Sequence, residues 1–253
     1  MDVAVLFVVA LVANTLSALA GGGAGLLQLP ALLMLGLGFP AALATHKIAS
    51  VALGVGATMR HLRGGRLNWR FAALVLGAGL PGVMLGTQLI LAVPDRWAAA
   101  ALGLLTLGLG VYSWRRPTLG QQAERRHREG RGLAAGLVVL FLIGLLNGSL
   151  TSGTGLFVTL WLVRWFGLDY TRAVAYTLVL VGLFWNGVGA LLLSVQAPVR
   201  WDWMPALLLG SLLGGYLGAH WALLKGNALV KRAFEGLTVV VGLRLLWLAA
   251  LEM

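Results

Sequence analysis

Two glycine runs, Gly21-Gly22-Gly23-Ala24-Gly25 and Ser152-Gly153-Thr154-Gly155, interrupt hydrophobic stretches that would otherwise read as membrane-length helices. Hydrocarbon offers backbone amides no hydrogen bonds. Irregular chain at membrane depth therefore persists only where protein or a water-filled cavity satisfies it. Interruptions at corresponding points of two halves are the best sequence pointer to a transporter's substrate site. The chain is expected to be an all-α polytopic membrane protein of two homologous helical repeats. Each repeat should carry a broken or re-entrant helix at its glycine-rich motif.

Composition agrees. Of 253 residues, 59% are hydrophobic and 11% charged, against about 25% charged in soluble domains. The formal charge of +11 is not a nucleic-acid signal, because the basic residues fall between apolar runs, as in loops beside an anionic leaflet. The chain has no cysteine, which excludes disulfides and thiolate metal sites. No cofactor and no metal are expected. Residues 3–20 end in Ser17-Ala18-Leu19-Ala20, which resembles a signal-peptide cleavage site. Asp2 and the lack of Lys or Arg before Lys47 argue for a first helix instead.

Apolar segments cover residues 3–20, 26–37, 41–59, 71–93, 97–114, 133–150, 155–165, 173–195, 204–224 and 229–248. Crossing the hydrocarbon core takes about 20 helical residues. Segments 26–37 and 155–165 are too short and read as half-helices starting after Gly25 and Gly155. Residues 115–131 hold Pro117, two glutamines, two glutamates and six arginines, the composition of a solvated linker. This divides the chain into a first transmembrane repeat (1–114), a basic linker (115–131) and a second transmembrane repeat (132–253).

Four ordered matches support the repeat. Gly23-Ala24-Gly25 aligns with Gly153-Thr154-Gly155. After a one-residue shift, Ala42-Leu43-Ala44-Thr45 aligns with Ala173-Val174-Ala175-Tyr176. Arg66-Leu67-Asn68-Trp69 aligns with Arg200-Trp201-Asp202-Trp203. Gly82-x-x-x-Gly86 aligns with Gly214-x-x-x-Gly218; small residues four apart let helices approach closely in lipid.

Loop charge bears on topology. If each interrupted segment and its half-helix form a hairpin, the halves cross an odd number of times and are inverted. The loop 60–70, the linker, Arg164, Arg172, Lys225, Lys231 and Arg232 then share one face. Only Lys47, Arg96, Arg200 and Arg244 lie towards the other. That sorting obeys the positive-inside rule, with the linker cytoplasmic and both termini outside. An even count, giving an eight-helix bundle with parallel halves, spreads the basic residues over both faces and remains the alternative.

Acidic residues are the most informative absence. Of Asp2, Asp95, Glu124, Glu129, Asp169, Asp202, Glu235 and Glu252, all but Glu235 fall in loops, linker or termini. Glu235 reads as a surface pair with Lys231 and Arg232 one turn away. Cation and proton pathways usually show mid-membrane carboxylates; an anion pathway does not need them. A helix N-terminus presents free N–H donors and about half a positive charge, and glycine admits a ligand close to backbone. Gly22, Gly23, Ala24, Gly25, Gly153 and Gly155 are therefore candidate anion-binding backbone, with Gln28, Ser152 and Thr154 beside the breaks. Tight helix packing is the competing reading of the same glycines.

Thr45-His46-Lys47 near the start of the third segment offers a hydroxyl, an imidazole and an ammonium for the anion or for proton coupling. Against that, Lys47 could snorkel to the interface. Tyr176 and Thr177 hold the matching place in the second half with no basic partner. Asn14, Asn147, Ser149, Thr151 and Asn186 are polar groups in apolar runs that need partners. Tryptophans near segment ends, Trp69, Trp97, Trp114, Trp165, Trp201, Trp203 and Trp247 among them, read as interfacial belts.

The ordered motifs, from the glycine break through Pro30, Ala44-Thr45-His46-Lys47, Gly65-Arg66-Leu67-Asn68-Trp69 and Gly82-x-x-x-Gly86, together resemble the TauE/SafE sulfite exporter family over nearly the whole chain. The resemblance implies a bacterial inner-membrane permease for sulfite, sulfonates such as sulfoacetate, or related organosulfur anions. The second half departs from the pattern at Ser152-Gly153-Thr154-Gly155 and at Tyr176. The expected function is a secondary transporter of a small oxyanion, bound where the breaks meet and moved by alternating access. The expected partners are the anion and the lipid bilayer, with a homodimer left open. Two other classes compete. A passive channel would show fast flux without exchange. An intramembrane hydrolase would need a base, and the sequence sets no His or Asp beside Ser149 or Ser152, so His46 would have to serve.

Overall fold

The computed structural model describes residues 3–62, 67–89, 95–149 and 153–251. All regular structure among them is helical. In order, the elements are α1 (Val3–Ala20), α2 (Ala24–Met34), α3 (Phe39–Leu62), α4 (Trp69–Leu89), α5 (Asp95–Trp114), α6 (Gly130–Ser149) and α7 (Thr154–Arg164). Then come α8 (Tyr170–Thr177), a π-helical stretch (Leu178–Trp185), α9 (Asn186–Gln196) and α10 (Met204–Leu251). Among the described residues, five helical stretches are long and apolar enough to cross a membrane: Val3–Ala20, Trp69–Leu89, Gly130–Ser149, Tyr170–Gln196 and Trp201–Ala250. The last is two helices, divided where Gly226 takes φ 73° and ψ −168°, within the gap read between segments 204–224 and 229–248.

The half-helices start earlier than expected. Gly23 (φ 97°) and Gly153 (φ 76°) adopt the left-handed conformation and cap α2 and α7. Gly25 and Gly155 thus lie inside the first turns. A residue with a Cβ rarely takes that conformation, so the break sits at the glycine whose φ is positive. Each half-helix has 11 residues, roughly 16 Å of rise against a hydrocarbon core of about 30 Å.

Packing between the halves is reciprocal. Helix α4 lies along α6, and the first part of α10 lies along α1. A Cβ added at Gly82 or Gly86 would collide with the Phe141 or Leu145 carbonyl oxygen of α6. One added at Gly214 would fall 2.6 Å from the Leu11 carbonyl oxygen of α1, and one at Gly218 would collide with that of Thr15. The two aligned GxxxG motifs each hold the opposite half's first helix. In lipid such close backbone approach supplies much of the association energy. Helix α3 packs on the π stretch and α9, and α5 on α10.

The linker is largely exposed, as its composition implied, and its backbone is also pinned to the helices. Glu124 N–H donates to the Gly167 carbonyl at 2.8 Å, and Gly120 accepts from Tyr170 N–H at 2.9 Å. Asn227 Nδ2 donates to the Gln121 carbonyl at 2.8 Å. Charge made the segment polar, and its backbone groups also found partners at the α7–α8 connection and on α10.

Glycine packing predicts a contrast on one helix. Gly86→Leu should lower stability by about 1–3 kcal/mol through overpacking. Gly77→Leu, with nothing within 4 Å of its Cβ position, should be nearly neutral. Detergent-micelle unfolding monitored by tryptophan fluorescence reads both.

Candidate functional site

The two breaks touch. A Cβ at Gly22 would fall 2.6 Å from the Gly155 carbonyl carbon, and one at Gly155 would fall 2.9 Å from Gly22 Cα. Backbone needs at the first break are met by protein. Gly21 and Gly22 N–H both donate to the Ser17 carbonyl, at 2.8 and 2.9 Å. The Gly21 carbonyl accepts from Thr159 Oγ1 at 2.7 Å, and that hydroxyl lies 2.9 Å from Thr177 Oγ1. The N-caps of α2 and α7, Gly23 and Gly153, have no side chain to cap with, and Leu156 N–H turns back to the Gly153 carbonyl at 2.9 Å.

Between the breaks lies a cavity of about 40 Å³, lined by Gly22–Gly25, Thr154, Gly155, Thr177, His46, Ser17, Ser50, Asn147, Asn186 and apolar groups of the π stretch. It has room for about three waters. Long π-helical stretches are rare, and π-bulges often mark functional sites. Here one supplies Leu178, Val181 and Gly182 to the wall and precedes Asn186.

Helix α3 serves both breaks, because consecutive residues diverge by roughly 100° around a helix. His46 turns towards the first break. Its Nδ1 lies 3.2 Å from Gln28 Oε1, and its Nε2 lies 3.1 Å from Ser50 Oγ. An amide oxygen only accepts, so Nδ1 carries the proton and Ser50 donates to Nε2. Asn14 Nδ2 extends the cluster to Gln28 Oε1 at 3.1 Å and Ser211 Oγ at 3.0 Å. Lys47 turns towards the second break. Its Nζ donates to the Asn147 carbonyl at 2.9 Å and to Asn147 Oδ1 at 3.0 Å, with Asn186 Oδ1 at 3.5 Å. Asn147 Nδ2 in turn donates to Thr154 Oγ1 at 2.8 Å.

Several expectations change. Lys47 is 0% exposed, so it does not snorkel. Asn147 lies a hundred residues away in sequence and supplies the polar partner that keeps the ammonium inside. Thr45 is buried but turned from the cavity, its hydroxyl accepting from Arg200 N–H at 3.2 Å. Tyr176 faces a different pocket. Gln28 stands behind His46 and not on the wall, Gly153 acts as the N-cap, and Ser152 lies outside the described residues. Ser17, Ser50, Asn147, Asn186 and Thr159 complete the site. Of these, Ser50, one turn after His46, was findable from spacing.

The surroundings are electropositive. The ion pairs found among the described residues join Arg126 to Glu124, Arg172 to Asp169, Arg200 to Asp202 and Lys231 to Glu235; none involves Lys47. Glu235 is not the surface group expected. It pairs with Lys231 against α5, where Ser113 Oγ donates to Glu235 Oε1 at 2.7 Å and Lys231 donates to the Ser113 carbonyl at 2.7 Å. Ser113 and Tyr170, whose hydroxyls lie 2.8 Å apart, come from distant elements that local spacing does not reveal.

Comparison with known proteins gives a consistent result. The family model for the sulfite exporter TauE/SafE matches residues 6–245. A "Probable membrane transporter protein" of Haemophilus influenzae is 32% identical over 228 residues, covering 90% of this chain and 88% of that protein. The "Probable membrane transporter protein YfcA" of Escherichia coli K12 is 30% identical, over 96% of this chain and 89% of that one. The "Probable membrane transporter protein ORF9" of a Sinorhizobium species is 29% identical, over 96% and 92% respectively. No solved structure matches the chain at a significant level.

Asn147→Ala should lower stability by about 1.5–3 kcal/mol, because a buried ammonium loses one charged hydrogen bond. Lys47→Met combined with Asn147→Leu should lose less than the two single costs added. Strict additivity in thermal melts would mean the two side chains are not coupled.

Proposed function

The chain belongs to the sulfite exporter TauE/SafE family, and from that premise we propose that it carries a small oxyanion, a sulfite or sulfonate, across the bacterial inner membrane. Binding occurs in the chamber between the two glycine breaks. First-turn amides of α2 and α7 hold the oxygens, and both helix dipoles favour negative charge there. Lys47 sits behind the wall and acts through Asn147 and Asn186. Among the described residues no carboxylate pairs with its ammonium, so an arriving anion supplies the missing charge in a low-dielectric setting. The observation that carries this reading is the contact of Gly22 with Gly155 across a polar chamber backed by a buried, hydrogen-bonded lysine.

The halves act as inverted repeats, and their rocking about the chamber gives alternating access. The reciprocal grip of the two GxxxG motifs supports that arrangement, since a two-fold relation requires each half to treat the other alike. The small volume of the chamber, about 40 Å³, favours a carrier over an open channel. The Ser50–His46–Gln28 chain resembles a hydrolase relay in outline, but its third member is a neutral amide that cannot balance an imidazolium.

Purified protein in liposomes should take up sulfite or sulfoacetate saturably and show counterflow exchange. In detergent a bound anion should raise the melting temperature by mass action, about 2.7 kcal/mol of stabilisation at one hundred times Kd. Gly22→Ala, whose Cβ would meet the Gly155 backbone and part the two breaks, should abolish both signals. Neither flux nor thermal shift with sulfite, sulfoacetate or sulfate, from protein that stays folded, would end the proposal.

A further inference from the structure

A second cavity, of about 450 Å³, opens beside the linker and is lined by Arg70, Arg125, Arg128 and Arg172 together with Asn68, Phe71 and Tyr176. It collects four guanidiniums from four places in the chain: the start of α4, two points of the linker, and α8. Among the described residues the one carboxylate paired with any of them is Asp169, 3.3 Å from Arg172. Arg128 is held in place, while Arg70, Arg125 and Arg172 are exposed. Arg128 lies over the Phe71 ring at 3.7 Å and near that of Phe166 at 5.3 Å, a cation–π seat that fixes its fork. Burial lowers the Arg128 guanidinium from its ordinary value, Tyr176 pulls it back up, and Arg125 lowers it further. An anion in the cavity would relieve that strain.

The floor of this cavity is close to the chamber. Tyr176 lines the basic cavity, and the next residue, Thr177, lines the chamber. The Tyr176 hydroxyl accepts from Asn68 N–H at 2.6 Å and lies 3.3 Å from the Asn68 carbonyl. Its ring meets Phe71 edge-on at 5.3 Å. Tyr176 thereby ties α8 to the segment that opens α4. The two cavities share no lining residue, so α8 is the partition between them.

We propose that the four-arginine cavity is an antechamber that gathers the small oxyanion on the linker face, and that Tyr176, latched to Asn68, is the gate through which it passes to the chamber. This rests on the transport reading above and adds to it where the anion is first held and which side chain moves. A cleft lined by one sign of charge raises the local concentration of its counter-ion and the rate of encounter by about ten-fold or more. Guanidinium forks match the planar spread of oxyanion oxygens.

The chain's lack of cysteine permits a test that does not depend on transport. Ala123→Cys places a thiol on the cavity wall. It should react faster with an anionic methanethiosulfonate than with a cationic one, and sulfoacetate should protect it. Replacing Arg125, Arg128 and Arg172 by Gln should cut that rate preference about ten-fold; Arg125→Gln alone, on an exposed linker residue, should cut it in part without disturbing the aromatic seat. An unchanged preference in both overturns the antechamber. Protection by phosphatidylglycerol vesicles but not by sulfoacetate also overturns it, assigning the cavity to a lipid headgroup. In liposomes the triple variant should raise KM for sulfoacetate about ten-fold with little change in maximal rate, whereas an unchanged KM removes the capture role. Tyr176→Phe should change the maximal rate at least about threefold with KM held, and an unchanged rate removes the gate. If the thiol arm succeeds while no anion is transported by wild-type protein, the transport reading fails and the anion-binding cavity stands.

Discussion

The constraint on which the structure depends is that hydrocarbon cannot satisfy a broken helix. The first break is therefore completed by its own helix and by the opposite half: Ser17 accepts from the Gly21 and Gly22 N–H groups. Gly21 gives its carbonyl to Thr159 of α7, and Gly22 lies against Gly155. A side chain at either contact glycine would push the breaks apart and expose unpaired amides. The same closeness leaves a chamber walled by backbone and small polar groups. Stability and binding capacity thus come from one arrangement, which is why the glycines cannot be assigned to packing or to function alone.

Charge is placed with equal economy. The chamber itself holds no lysine; Lys47 reaches Asn147 and Asn186, which do line it. A bare ammonium on the wall would bind an anion tightly and release it slowly. Set behind two amides, it biases the chamber by polarising their dipoles while its hydrogen bonds stay satisfied. His46, adjacent in sequence, turns to the other break and is held between Gln28 and Ser50. One helix thus gives the two breaks different chemistry.

Much of this was legible in the sequence. The interruptions, the short helices after them, the linker's ends and the GxxxG matches are local patterns, and local patterns survive without knowledge of partners. The break's true position was shifted by two residues because left-handed φ at Gly23 and Gly153, not the last glycine of each run, ends the irregular segment. What sequence hid was pairing over distance. Lys47 with Asn147, Thr159 with Gly21 and Glu235 with Ser113 join residues a hundred or more apart. Thr45 illustrates the limit: it is one residue from His46, yet rotation around the helix carries it out of the chamber.

Thr45 and Tyr176, aligned in the two halves, nonetheless meet the same kind of partner. Thr45 accepts from the backbone of Arg200, before α10, and Tyr176 from that of Asn68, before α4. The two loops carry the sequence match Arg66-Leu67-Asn68-Trp69 to Arg200-Trp201-Asp202-Trp203, so a similar contact is made at each. The surroundings differ. Near Thr45 the charge of Arg200 is met by Asp202 at 2.8 Å, whereas near Tyr176 four arginines face one carboxylate. The linker supplies half of those arginines, and a linker between two halves lies on only one face. The charge around these two contacts is therefore one-sided through the linker, so the potential favours negative charge near Tyr176 more than near Thr45.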